Sequence, residues 1–172
     1  MNPNHSALDL TTEEAIASTL TRLVKALSLF SDLLQQEQHA LIQFKPDSIE
    51  TLTQLTQKKA DTASEIETLY QTLAKELSSA SLTQSSDVID FIELSKNSHL
   101  SDSLKQTFNQ AHQLIIDNHQ ANLRNGMLIQ SLSTLNQHAL LALKGQNESF
   151  SEYNAHGKKQ PSSTPNTPLG KA

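Results

Sequence analysis

The stretch IASTLTRLVKALSLFSDLLQQEQHALIQF, residues 16–44, decides the fold. Ile16, Leu20, Leu23, Leu27, Phe30, Leu34, Leu41 and Phe44 follow one another at alternating steps of four and three, with Glu37 the single polar member of the row. That repeat of ~3.5 residues is the seam of a helix packed lengthwise on other helices; a strand would alternate by two. Just upstream, Thr11-Thr12-Glu13-Glu14 has capping-box spacing, in which Thr11 accepts from the Glu14 amide and the Glu14 carboxylate reaches back. A helix from Thr12 to Phe44 is then about 50 Å long at ~1.5 Å per residue.

Little further along the chain breaks a helix. Between Pro3 and Pro161 there is one proline, Pro46, and ahead of Gly145 one glycine, Gly126. Phe44-Lys45-Pro46-Asp47 is long enough only for a tight hairpin turn, with Asp47-Ser48-Ile49-Glu50 offering a second capping box. The return helix is expected to bury Ile49, Leu52, Thr56, Lys59, Ala63, Ile66, Tyr70, Leu73 and Leu77. After the polar break of residues 78–86, DVIDFIELS predicts a short helix at about 87–96, apolar on nearly every side, that plugs a bundle end or lies under another helix. A last long helix is expected at about 100–144, stopping at Lys144-Gly145. The fold class is therefore all-α: an elongated antiparallel helical bundle made of a long hairpin (12–79), a short helix and a long C-terminal helix. The bundle domain spans 1–156, and residues 157–172 form a disordered Pro/Ser-rich tail.

Composition narrows the function. Hydrophobic residues make up 36% of the chain, aromatic ones 4%, and tryptophan is missing, so the core is thin. The lack of cysteine removes disulfides, thiolate metal sites and cysteine nucleophiles together. No run of uncharged apolar residues is long enough to span a bilayer, and MNPNHSALDL has neither the basic region nor the apolar core of a signal, so the expected location is the cytoplasm, without membrane insertion. Residues 1–100 carry 7 basic and 14 acidic groups and residues 101–172 carry 6 and 4, a distribution that argues against nucleic acid as a partner.

Catalytic patterns are missing. The chain has no Glu-x-x-His pair for a dinuclear bundle site and no His-Glu-x-x-His for zinc. With no phosphate loop and no nucleophile beside a plausible base, the expectation is a protein without catalytic residues, metal or cofactor. A histidine phosphotransfer bundle places Lys-Gly about three residues after its histidine; His138 precedes Lys144-Gly145 by six, which leaves phosphotransfer as a distant alternative.

Polar residues stand where a core is expected. Glu37 and Lys59 each interrupt an apolar row on helices joined by a short turn; either they pair and fix the hairpin register, or each is solvated at a bundle edge. On the row set by Leu104, Phe108, Ala111 and Ile115 come Asn118, Asn122 and Asn125, whose amides need partners or water. Beside them is Gly126, which costs roughly 1 kcal/mol against alanine inside a helix and is read as admitting another backbone or a bend. The apolar set Met127, Leu128, Ile129, Leu132, Leu135, Ala139, Leu140 and Leu143 is wider than one seam requires; it is either internal core or a surface for another protein's helix. Phe150 and Tyr153 then mark either a docking segment or a cap on the bundle.

Three segments in this order carry a resemblance: LSLFSDLLQQEQHALIQFKPDSIETLTQLTQKKADTASEIETL (27–69), NLRNGMLIQSL (122–132) and FSEYNAHGK (150–158). Together they resemble the FlgN family, flagellar type III export chaperones for the hook–filament junction proteins. The resemblance implies cytoplasmic binding of the C-terminal segments of FlgK and FlgL, protection of those segments from aggregation and premature assembly, and delivery to the flagellar export gate and its soluble components. It points to Asn125, Gly126, Leu128, Ile129 and Leu132 for cargo, a set that Leu135 and Leu143 extend along the same helix, and to Tyr153 with Gly157 for handover to the export apparatus. Another helical secretion chaperone or adaptor, such as one for the filament cap, shares this bundle and differs in cargo.

Overall fold

The structure is a computed structural model in which residues 10–43, 45, 48–83 and 88–143 are described. Four helices follow in order: α1 (Leu10–Ile42), α2 (Ser48–Ser79), α3 (Phe91–Lys96) and α4 (Asp102–Leu143). No strand occurs among the described residues, and the fold is an all-α helical bundle. The chain divides into two compact units between Ile129 and Gln130.

In the first unit α1 is the helix on which the others pack. Ile16, Leu20, Leu23, Leu27, Leu34 and Leu41 of its seam are buried, as is Glu37, while Phe30 is half-buried and Phe44 lies outside the described residues. Thr19, Ala26 and Leu33, one position back from Leu20, Leu27 and Leu34, are buried too. Two adjacent buried stripes mean that α1 is covered over a broad face, which a single partner helix could not do.

The α2 helix returns antiparallel to α1: the Thr19 hydroxyl donates to Glu76 Oε1 at 3.0 Å near one end, and Lys59 meets Glu37 near the other. Its buried residues are Leu55, Thr62, Leu69, Leu73, Ala74 and Leu77. This corrects the expected seam at alternate layers, since Thr56 and Ala63 are exposed and Ile49 is 59% exposed. Leu55 and Leu69 are stronger apolar choices than Thr56 and Tyr70, and the rotation they impose turns Ile66 and Tyr70 toward the other helices. Ser81 ends the hairpin in the left-handed region at φ 56°, with the Leu82 amide donating back to the Leu77 carbonyl at 3.0 Å, the closing bond of a helix C-terminus.

The short helix starts later than the expected residue 87. Asp90 adopts extended backbone and accepts from the amides of Ile92 and Glu93, so it caps the helix from outside. Ile89, Phe91 and Leu94 enter the core, with the Phe91 ring 6.3 Å from Tyr70 and 6.0 Å from Phe108. The Ile89 amide donates to the Tyr70 hydroxyl oxygen at 2.9 Å.

At its start α4 is held by Ser101, whose hydroxyl accepts from the Leu104 amide at 3.4 Å. The Ser101 amide in turn donates to Glu13 Oε1 at 3.3 Å. The helix α1 already includes Leu10, so the Thr11–Glu14 box expected as its cap lies inside it, while the neighbouring Glu13 reaches across to the residue that precedes α4. Asn118 Nδ2 donates to the Leu27 carbonyl at 2.9 Å and Asn125 Nδ2 to the Leu34 carbonyl at 2.8 Å, both across a sequence separation of 91. Equal separation at two successive heptads makes α4 parallel to α1 over this stretch.

In the second unit the described residues are the helical stretch 130–143, none of which is buried. Among the described residues no helix is long and apolar enough to cross a membrane.

Candidate functional site

The candidate residues of α4 fall in both units, and those of the first begin at Asn125. This side chain is 2% exposed, and its Nδ2 donates both to the Leu34 carbonyl and to Glu37 Oε2, each at 2.8 Å. Glu37 also accepts from Lys59 Nζ, at 2.8 Å on Oε1 and 2.7 Å on Oε2. One carboxylate thus joins α1, α2 and α4. With three hydrogen bonds on it from two donor groups, a charge that would be costly to bury alone is compensated. Asn125, expected for cargo, is thus turned into the bundle with its amide nitrogen already bonded there.

Beyond Asn125 the helix changes character. Gly126 is exposed, and a Cβ added to it would meet nothing within 4 Å, so neither close approach of a second backbone nor a packing need explains it. Met127 and Ile129 are 60% and 48% exposed, and Leu128 is half-buried. In the second unit Leu132 is half-buried, while Leu135, Leu140 and Leu143 are exposed at 65%, 55% and 84%. Leu132, Leu135, Ala139 and Leu143 recur at steps of three and four, so they share one helix face. Isolated exposed leucines are ordinary; a row of them along one face has the form of a surface that another helix covers.

The flank next to that face, across Leu135, is polar. A shallow depression of about 470 Å³ is lined by Gln130, Ser131, Thr134, Leu135 and His138. No group of three or more potential metal ligands comes together among the described residues. Tyr153 and Gly157, expected for handover, and Phe150 lie outside the described residues.

Two features escape sequence reasoning. One is the joining of Asn125 to Glu37 and Lys59, which shows in sequence only as the common seven-residue spacing of Leu27/Leu34 and Asn118/Asn125. The other is a cleft of about 390 Å³ bounded by Leu27, Phe30, Ile66, Tyr70, Ile115 and Asn118, with Ala63 and Glu67 at its lip. Asn118 is 5% exposed and its Oδ1 is buried with no hydrogen-bond partner, an arrangement that costs about 1–3 kcal/mol.

The first unit thus holds the hairpin and the short plugging helix, and the second a helical stretch with uncovered leucines. No curated protein and no solved structure matches this one. The family model described as FlgN protein matches residues 10–161, which takes in all four described helices, and the chain belongs to the FlgN family of flagellar export chaperones.

Proposed function

We propose that the chain is the cytoplasmic chaperone of the hook–filament junction proteins FlgK and FlgL, whose C-terminal segments it covers before export and delivers to the flagellar export gate. The observation that supports this reading is the run of leucines in the second unit, where Leu135, Leu140 and Leu143 are exposed and Leu132 is half-buried; in the first unit Ile129 is exposed as well. Each leucine taken fully out of water is worth roughly 1.5–3 kcal/mol, so four of them can hold an unfolded segment after its ordering cost is met. Leu128 flanks the row, and Gly126 leaves bare helix backbone beside it. Holding a segment makes and breaks no bond, so the reading needs no catalytic group. Tyr153 and Gly157 are assigned the contact with the export apparatus.

The test is co-purification with C-terminal fragments of FlgK and FlgL, using the full chain and its Ile129→Asp variant. Ile129 is half exposed, so the aspartate leaves helix content unchanged by circular dichroism while binding is lost. Unchanged affinity would place the cargo elsewhere, and preferential capture of a filament-cap fragment would reassign the cargo.

A further inference from the structure

The helical stretch of the second unit lacks what marks a helix with one wet side. From residue 125 to residue 143 the sequence NGMLIQSLSTLNQHALLAL contains no Asp, Glu, Lys or Arg, in a chain that is 18% charged. That run takes in the whole described part of the second unit, 130–143, none of which is buried. A surface helix ordinarily carries an apolar stripe on one side and charged residues on the other. Here the side away from Leu132, Leu135 and Ala139 holds Gln130 and Gln137, seven residues apart, with Thr134 between them, all exposed and all neutral. The last turn goes further. Ala139-Leu140-Leu141-Ala142-Leu143 is apolar beyond the ~3.6 residues of one turn, so it has no polar side at all. Leu140, turned about 100° from Ala139, is 55% exposed.

Neutrality on every side has a physical reason where water is displaced on every side. A charge that stays wet costs nothing, whereas one that a partner strips of water without pairing it opposes binding. The polar groups that remain are suited to being covered. The Thr134 hydroxyl already donates to the Gln130 carbonyl at 3.0 Å, so a partner laid over it strands no donor. A carboxamide such as Gln137 both donates and accepts, and so pairs with another carboxamide. Loss of charged residues is the signature of the centre of an interface, not of its rim. One helix laid on another covers a stripe of about 100°, so a single segment on the leucine row would leave Gln130 and Gln137 in water.

We propose that the cargo clasps this stretch with two amphipathic helical segments, one on the row of Leu132, Leu135 and Ala139 and one on the flank of Gln130 and Gln137, so that it becomes the central helix of a joint bundle. The proposal rests on the cargo reading above and adds to it the second flank and the chemistry of what lies there. Both cargo segments turn leucine, alanine, serine, asparagine or glutamine toward the helix and keep their own charges outward, because an ion pressed against this neutral surface finds no partner.

The experiment titrates the full chain into labelled C-terminal fragments of FlgK and FlgL and follows fluorescence anisotropy, comparing Gln137→Lys, Gln137→Glu and Leu135→Asp. Gln137 is exposed, so the melting temperature of the free chain holds in both of its variants. Each of them is expected to weaken binding about tenfold or more, whatever the sign of the charge, as Leu135→Asp does from the row itself. Gln120→Lys, at an exposed position of the same helix in the first unit, leaves binding unchanged. Full affinity in both Gln137 variants, with Leu135→Asp weakened, keeps the cargo on one face and overturns the clasp. Opposite effects of the two signs overturn it as well, since they report pairing across a wet rim. A lower melting temperature of the free chain in the Gln137 variants gives the flank to the chain's own residues and overturns the proposal. So does a dimer of the free chain that Gln137→Lys dissolves without loss of cargo affinity, which gives the flank to a second copy. No binding of either fragment by the unmodified chain removes the cargo reading itself, and the clasp with it.

Discussion

Replacing Lys59 with methionine keeps the length of the side chain and deletes its charge, which isolates what the ammonium does for Glu37. The carboxylate is 4% exposed and receives two bonds from Lys59 and one from Asn125. Removing one member of a buried ion pair costs about 3–5 kcal/mol, because the remaining charge is stranded. The Lys59 side chain is 18% exposed, so water reaches part of the gap and the expected cost falls to about 2–3 kcal/mol. For a chain of this size that is a loss of about 4–12 °C in melting temperature. The double variant Glu37→Leu/Lys59→Met removes both charges and leaves one N–H of Asn125 without its acceptor, at about 1 kcal/mol, so it is more stable than Lys59→Met alone. Adding Asn125→Leu removes that orphan and brings stability back to the starting value or above it. Thermal unfolding followed by circular dichroism measures all three. A shift under about 1 °C for Lys59→Met, or a double variant no better than the single, refutes the coupling.

Three further outcomes follow from single positions. Gly126→Ala is expected to raise stability by about 1 kcal/mol, seen as a melting temperature about 2–4 °C higher, because the added methyl meets nothing and the helix gains propensity. Phe91→Ala removes the ring between Tyr70 and Phe108 and is expected to cost about 3–5 kcal/mol by urea denaturation, with amide protection lost first in α3. Leu135→Asp, at a position 65% exposed, is expected to leave the melting temperature unchanged and to weaken cargo binding about tenfold or more in a titration.

The first helix is legible in sequence because its row is apolar at every place but Glu37, so one phase of the repeat stands out. The second is not, since Leu55/Thr62/Leu69 and Thr56/Ala63/Tyr70 are rival phases one residue apart, and Thr62 between the two leucines hides the more apolar of them. The start of α3 differs from the expected one for a local reason: DVID offers two aspartates, and it is Asp90 that accepts from the amides of Ile92 and Glu93. At the candidate site the excess of leucines after Gly126 is readable, and so is the oddity of three asparagines on a seam. Their fates diverge, with Asn118 and Asn125 buried and Asn122 exposed. The acceptors that decide this are largely main-chain carbonyls of α1, which leave no mark on the side-chain pattern.

The buried asparagines also bear on why the leucine row stays available. The apolar periodicity of α4 does not end at Asn125, because Leu132, Ala139 and Leu143 continue it. If α4 slid by one heptad against α1, Leu132 would come to the place of Asn125, and the bundle would cover with its own helix the surface proposed for cargo. Apolar contacts alone oppose such a slip weakly, since one leucine replaces another along a regular seam. Glu37 opposes it strongly: with Leu132 beside it Oε2 loses the amide donor, and the Phe91–Phe108 contact is broken at the same time. The triple variant Glu37→Leu/Lys59→Met/Asn125→Leu removes that opposition without altering any exposed leucine. It is expected to melt at the original temperature or higher and yet to bind cargo about tenfold more weakly. Cysteines placed at Thr19 and Glu76, whose side chains meet at 3.0 Å in a chain otherwise free of cysteine, report through a short thiol-reactive cross-linker whether the hairpin keeps its own alignment. Full cross-linking with weakened cargo binding locates the slip in α4, and full cargo affinity in the triple variant would show that register is held by packing rather than by the buried amide.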